Sequence, residues 1–203
     1  MSTNRLESFS DGVFAVAITL LVLGIAVPST HDPGSLAHKL AHNWAQYAAY
    51  AVSFVTIGII WINHHGMISR LRAVDHTILI LNLVLLMTVA ILPFVTELIA
   101  AYLREPHDRD VAAAVYSGAF LVMGVVFSLE NGVILLRRAD LLAVPLSLDR
   151  RRQILGRAAG GVTPYAIAVA VSFVSAYAAL AICAALALFY ALPIASGYES
   201  TTE

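Results

Sequence analysis

Charge is what this chain has least of. Asp, Glu, Lys and Arg together make up 12% of its 203 residues, about half the share of a soluble domain, while 60% are hydrophobic and the mean hydropathy is +0.82. So few charges cannot clothe a water-facing surface, which excludes an ordinary soluble domain and leaves a membrane protein. Cysteine is nearly missing as well: Cys183 stands alone in an apolar run, rules out an intrachain disulfide, and reads as a small buried apolar residue. There is no Gly-rich phosphate loop, no Ser in an elbow motif, no HExxH and no pair of carboxylates inside an apolar run, so hydrolytic and nucleotide chemistry have no residues to work with. No enzyme activity, cofactor or nucleic-acid partner is expected.

What the chain has in place of charge is long apolar runs. Residues 12–31, 40–69, 76–96, 111–129 and 158–198 contain no Asp, Glu, Lys or Arg. The last run is twice too long for one crossing, since 41 residues of helix extend roughly 60 Å against a hydrocarbon core of about 30 Å. It should fold back near Ser172 to Ala176. The expected architecture is therefore an all-α polytopic membrane protein forming one domain over residues 1–203, with six transmembrane helices at about 5–27, 40–65, 76–102, 111–136, 152–174 and 177–193.

Placing both termini on the cytoplasmic side puts Arg5, Arg70, Arg72, Arg137, Arg138, Arg150, Arg151, Arg152 and Arg157 inside and leaves Lys39, Arg104 and Arg109 outside, in accord with the positive-inside rule. Asn4 is placed to cap the first helix with Glu7 reaching back to it, and Pro28 to end it. Pro93 should kink the third helix. Residues 137–157 alternate Arg with Leu and Ile, the pattern of a segment lying on an anionic leaflet. Gly160-Gly161 and Thr163-Pro164 are read as a break or restart of the fifth helix.

Polar residues near helix ends are expensive if they face lipid, so Arg5, Ser10, Asp11, Asn63, His64 and His65 are expected to meet in one network. That network has two readings: it fixes helix packing, or it senses or carries protons. A metal site is a poor third, because adjacent histidines project about 100° apart on a helix and no Cys or carboxylate pair completes a ligand set. Glu97 and Glu130 are expected to meet interfacial water or Arg137, with Glu130 beside Asn131 able to join the network. On the first helix Val16, Thr19, Leu20 and Leu23 share one stripe at i, i+3, i+4 and i+7. Nothing in the periodicity distinguishes that stripe from ordinary packing.

Two short sequences carry a resemblance. Arg5 followed by Phe9-Ser10-Asp11 resembles the RxxxFSD signature of the transmembrane protein 175 potassium channels, and Trp61-Ile62-Asn63-His64-His65 is similar to the WxNHH that ends the family's second helix. With a single six-helix repeat, the chain is similar to the bacterial form, which implies a homotetramer in the lipid bilayer of the cell membrane around a pore lined by helix 1. The resemblance makes Val16, Leu20 and Leu23 hydrophobic constrictions, with Val16 standing where the family often has Ile or Leu, and places a permeant potassium ion near Thr19. No TVGYG filter is present, so selectivity would come from the constriction and its hydroxyl ring. A proton-coupled carrier or proton pathway through Asp11, His64 and His65, and a non-transporting scaffold, are the alternatives.

Overall fold

In lipid every backbone N–H and C=O must find its partner within the segment, and a charge-free run of this length satisfies that only as helix. The structure, a computed structural model, describes residues 3–31 and 33–191, and the described residues form helices joined by short turns. In order these are α1 (Thr3–Leu20), tightening into a 3-10 turn at Leu21–Gly24; α2 (Leu36–His42); α3 (Trp44–Ile68); α4 (His76–Ala90); α5 (Leu92–Tyr102); α6 (Arg109–Gly132), continuing as a π turn at Val133–Arg137; a 3-10 turn at Ala139–Leu141; α7 (Leu148–Ser172); and α8 (Ala176–Ala191).

Among the described residues five segments are long and apolar enough to cross a membrane: Thr3–Gly24, Trp44–Ile68, His76–Tyr102, Arg109–Arg137 and Leu148–Ser172. The sixth, α8, is apolar but has 16 residues in the described part, roughly 24 Å of helix. Its expected end at 193 lies outside the described residues.

Several boundaries differ from the sequence expectation for physical reasons. The first helix gives up α-geometry at Leu21, seven residues before Pro28, and from Ile25 the chain is extended. Glu7 does not reach back to Asn4; its carboxylate goes to His65. Ahead of α3 a separate short helix, α2, is capped by Ser35, whose hydroxyl accepts from the N–H of His38. Pro93 does interrupt the third crossing, with α4 ending at Ala90 and α5 starting at Leu92.

The fifth crossing departs most. It starts at Leu148, with Ser147 accepting from the N–H of Arg150, and runs unbroken through Gly160, Gly161 and Pro164. Thr163 is no cap, and residues 148–157, expected in the connection before the helix, are part of the helix. Gly161 serves packing: a Cβ there would stand 3.3 Å from the Tyr190 hydroxyl of α8.

Between helices in lipid the driving force is close packing rather than escape from water, and small residues supply it. On α8 the buried residues are Ala176, Ala179, Cys183 and Ala187, one stripe without bulk, and Cys183 lies 3.9 Å from the Ser117 hydroxyl of α6. The large apolar cluster joins Phe14 and Leu21 of α1, Ile57 of α3, Leu85 and Val89 of α4 and Phe120 and Met123 of α6. A second cluster closes the amino-terminal end of the bundle with Leu6, Met67, Ile68, Ile78, Ile134 and Leu142. There the two connecting loops pair: Arg72 N–H donates to Leu141, Ala143 N–H donates to Arg70, and Arg72 Nη2 donates to the Asp140 carbonyl at 2.9 Å. Asp75 caps α4 by accepting from the N–H of Ile78 and pairs with Arg138.

Candidate functional site

α1 separates into two faces. Leu6, Ser10, Phe14, Ala17 and Leu21 are buried against the bundle, the last three at 1–2% exposure. Turned away from them are Phe9, Val16, Leu20 and Leu23 at 52%, 56%, 43% and 75% exposure. Arg5, Phe9, Gly12, Val16, Thr19 and Leu20 follow one another at helical spacing along that outer face, which also forms one wall of a groove closed by Ala90 of α4. The 3-10 turn matters here, because residues three apart eclipse in that geometry and Leu23 comes to stand over Leu20.

Thr19 is the one polar side chain on the face between Phe9 and Leu23. Its hydroxyl donates back to its own helix, 2.9 Å from both the Ala15 and Val16 carbonyl oxygens. That use of its single hydrogen leaves the oxygen lone pairs directed outward. Beyond the turn, the extended chain is tied down where Ala26 N–H donates to Gln46 Oε1 at 3.1 Å, and Gly24 sits against Glu97 of α5.

The polar residues at the amino-terminal end divide into separate groups. Ser10 and His64 are fully buried and do not touch; Asn82 of α4, which the sequence pattern does not single out, stands between them. Asn82 Nδ2 donates to Ser10 Oγ at 3.1 Å, and Asn82 Oδ1 lies 2.7 Å from His64 Nε2. Ser10 gives its own hydrogen to the Leu6 carbonyl at 2.9 Å, so its oxygen is free to accept. With the amide oriented this way, His64 donates from Nε2 and its buried Nδ1, beside the Phe14 ring, is left as an acceptor without a donor among the described residues. One asparagine thereby joins α1, α3 and α4.

The other members lie nearer the surface. Trp61 Nε1 donates to Asp11 Oδ1 at 2.8 Å, and His65 Nδ1 meets Glu7 Oε1 at 2.7 Å, two further ties between α1 and α3. Asn63 is outside the network, donating to the Ile59 carbonyl of its own helix. Arg5 is exposed and forms no hydrogen bond or ion pair among the described residues. The signal that would have found Asn82 is its place in α4, a lone amide in the run Ile78 to Leu86 where a buried side chain of that kind needs two partners. Among the described residues no three His, Cys, Asp or Glu side chains are grouped to hold a metal.

Over residues 5–93 the chain matches the model of the endosomal/lysosomal potassium channel TMEM175. A potassium channel of Streptomyces collinus is 44% identical over 188 residues, covering 93% of this chain and 91% of that one. The chain belongs to the TMEM175 family. A potassium channel of Chamaesiphon minutus is 40% identical over 94% of both chains. The crystal structure of a lysosomal potassium-selective TMEM175 homolog from that organism superposes with a TM-score of 0.84 at 37% identity, covering 93% of this chain and 96% of the other. The region of this TMEM175-family chain that the model matches runs from Arg5 of α1 through all of α3 and α4, and so includes the Ser10–Asn82–His64 bridge.

Proposed function

We propose that the chain is a passive potassium-permeable channel in the cell membrane, four copies of one domain surrounding an axis lined by the outward face of α1. The observation that carries this reading is the asymmetry of that helix. A stripe of large apolar side chains at 43–75% exposure lies opposite a stripe at 1–2%, and the one polar side chain on that face between Phe9 and Leu23 offers an outward-facing hydroxyl oxygen. Four Thr19 oxygens offer acceptors to a cation, while rings of Val16, Leu20 and Leu23 resist ions because water leaves an apolar constriction. Potassium relatives of nearly the same length support the substrate.

The network of Ser10, Asn82 and His64 holds α1 in place, with Asp11–Trp61 and Glu7–His65 as outer ties; Arg5 and Phe9 extend the outward stripe toward the cytoplasm. Nine of twelve Lys and Arg residues support cytoplasmic termini and six crossings. Potassium efflux from vesicles containing the purified protein tests the pore face. Leu20→Asn and Leu23→Asn should raise resting flux by wetting the rings, Val16→Leu should lower it, and Thr19→Val should weaken potassium over sodium. Flux left unchanged by both Leu20→Asn and Leu23→Asn in a protein that assembles normally would assign the pore to another face of α1.

A further inference from the structure

Glu130 on α6 is wholly buried, and neither oxygen of its carboxyl has a hydrogen-bond partner among the described residues. Arg137, the counter-charge expected from sequence, is exposed at the far end of the π turn. The carboxyl lies at a seam. Met123, two turns toward the middle of the bundle, belongs to the large cluster; Ile134, one turn the other way, belongs to the cluster that closes the amino-terminal end; Phe127 between them packs against both. Ile78 shares the second cluster with Ile134, and one turn from each stand Asn82 and Glu130, which puts the carboxyl at the depth of the Ser10–Asn82–His64 bridge.

The titratable groups on the helices packed around it are engaged elsewhere or turned to the surface, as exposed Arg157 of α7 is. His64 of α3 gives Nε2 to Asn82. Arg151 of α7 spends its guanidinium on the Leu146 and Leu135 carbonyls. Tyr165 stacks on Phe120, Cys183 of α8 faces Ser117, Glu97 of α5 sits beside Gly24, and His76 of α4 is exposed at its helix start. An ionised carboxylate without counter-charge or donor is among the most costly things a bilayer-spanning bundle can hold, whereas the neutral acid is accepted at the cost of one unmade hydrogen bond.

We propose that Glu130 is a proton-binding site inside the subunit, a carboxylic acid that keeps its proton at neutral pH and whose ionisation loosens the seam between α4, α6 and α7. The π turn directly after it, at Val133–Arg137, is where the helix can give way, since its hydrogen bonds are already off the α-register. The proposal is independent of the channel reading, because it concerns the packing of one subunit.

Infrared spectroscopy of the purified full-length protein tests it. At neutral pH the spectrum should contain the stretching band of an un-ionised carboxyl that moves in heavy water and is lost in Glu130→Gln. Raising the pH until that band disappears should lower the thermal midpoint of the wild type, while Glu130→Gln, which carries a neutral side chain of the same shape, keeps its midpoint. A wild type with no Glu130-dependent band, an equal alkaline loss in both proteins, or a Gln variant that does not fold would each overturn the proposal.

Discussion

Replacing Asn82 with Leu removes two hydrogen bonds without opening a large cavity, and the structure says where the damage falls. Ser10 loses a donor to its oxygen but keeps its bond to the Leu6 carbonyl, so its share is small. His64 loses the acceptor of its Nε2 proton while its Nδ1 already lacks a partner among the described residues, so the ring becomes a buried polar group with neither nitrogen bonded there. An orphaned donor costs about 1–3 kcal/mol, and hydrogen bonds measured inside membrane bundles reach roughly 1.7 kcal/mol, so a loss near 2 kcal/mol is expected. For a chain of this size that is roughly 4–8 °C in thermal midpoint, readable from the monodisperse gel-filtration peak of a fluorescent fusion after heating. Asn63→Ala, which cuts an exposed bond within one helix, should cost no more than about 0.5 kcal/mol. Removing both partners in Asn82→Leu/His64→Leu should cost less than the sum of the single changes by about 1 kcal/mol or more, because no orphan remains. Equal midpoints for Asn82→Leu and Asn63→Ala, or strict additivity in the double variant, would refute the bridge as the anchor of α1.

Asp75 outside the spans predicts a pH effect: the Ile78 N–H and then the Arg138 guanidinium hold its carboxyl below the usual carboxylate range, so the stability it contributes is present above that range and is lost as pH falls through the lowered value. Asp75→Ala should cost about 1 kcal/mol at neutral pH as a lost cap and flatten the acid limb of a thermal-midpoint profile, whereas an acid limb unchanged from wild type would remove Asp75 as its source. Cysteines at Ser2 and at the exposed Val144, in a Cys183→Ala background, should resist an impermeant thiol reagent in intact cells; ready labelling of either would overturn the cytoplasmic placement of that end.

The helical class was legible because charge-free runs of bilayer length have one backbone solution, and the site region because a polar cluster at the mouth of an apolar helix must be partnered. Pro93 and the reversal after Ser172 were legible for a similar reason, each being a local constraint that the backbone cannot evade. Gly160, Gly161 and Pro164 misled because the same residues that break an isolated helix are tolerated where a neighbour packs closely, as Tyr190 does. The grouping of Arg5, Asn63 and Asp11 with His64 failed because nearness to a helix end does not fix azimuth: His64 turns into the bundle while its neighbours Asn63 and His65 turn out.

Asn82 shows why partners are harder to read than needs. The requirement for a donor to Ser10 and an acceptor for His64 is visible in α1 and α3, but the amide that meets both sits 18 residues after His64, on a third helix whose hydrophobic pattern gives no face. What decided its role was depth. α3 and α4 are joined by a seven-residue turn and tied by the His64–Asn82 bond, so a residue one to two turns back from the end of one lies level with a residue one to two turns into the other. His64 stands four residues before Ile68 and Asn82 six after His76, close to that condition. Ser10 meets the same level from α1, seven residues after Thr3, and Glu130 meets it from α6, seven before the π turn ends at Arg137. Polar groups from four helices thus share one layer of the bundle, yet the described hydrogen bonds join three of them and leave the carboxyl out. An unjoined carboxyl in such a layer is least costly as the neutral acid, so the proposed protonation of Glu130 and the hydrogen bonds that anchor α1 meet at one depth of the bundle.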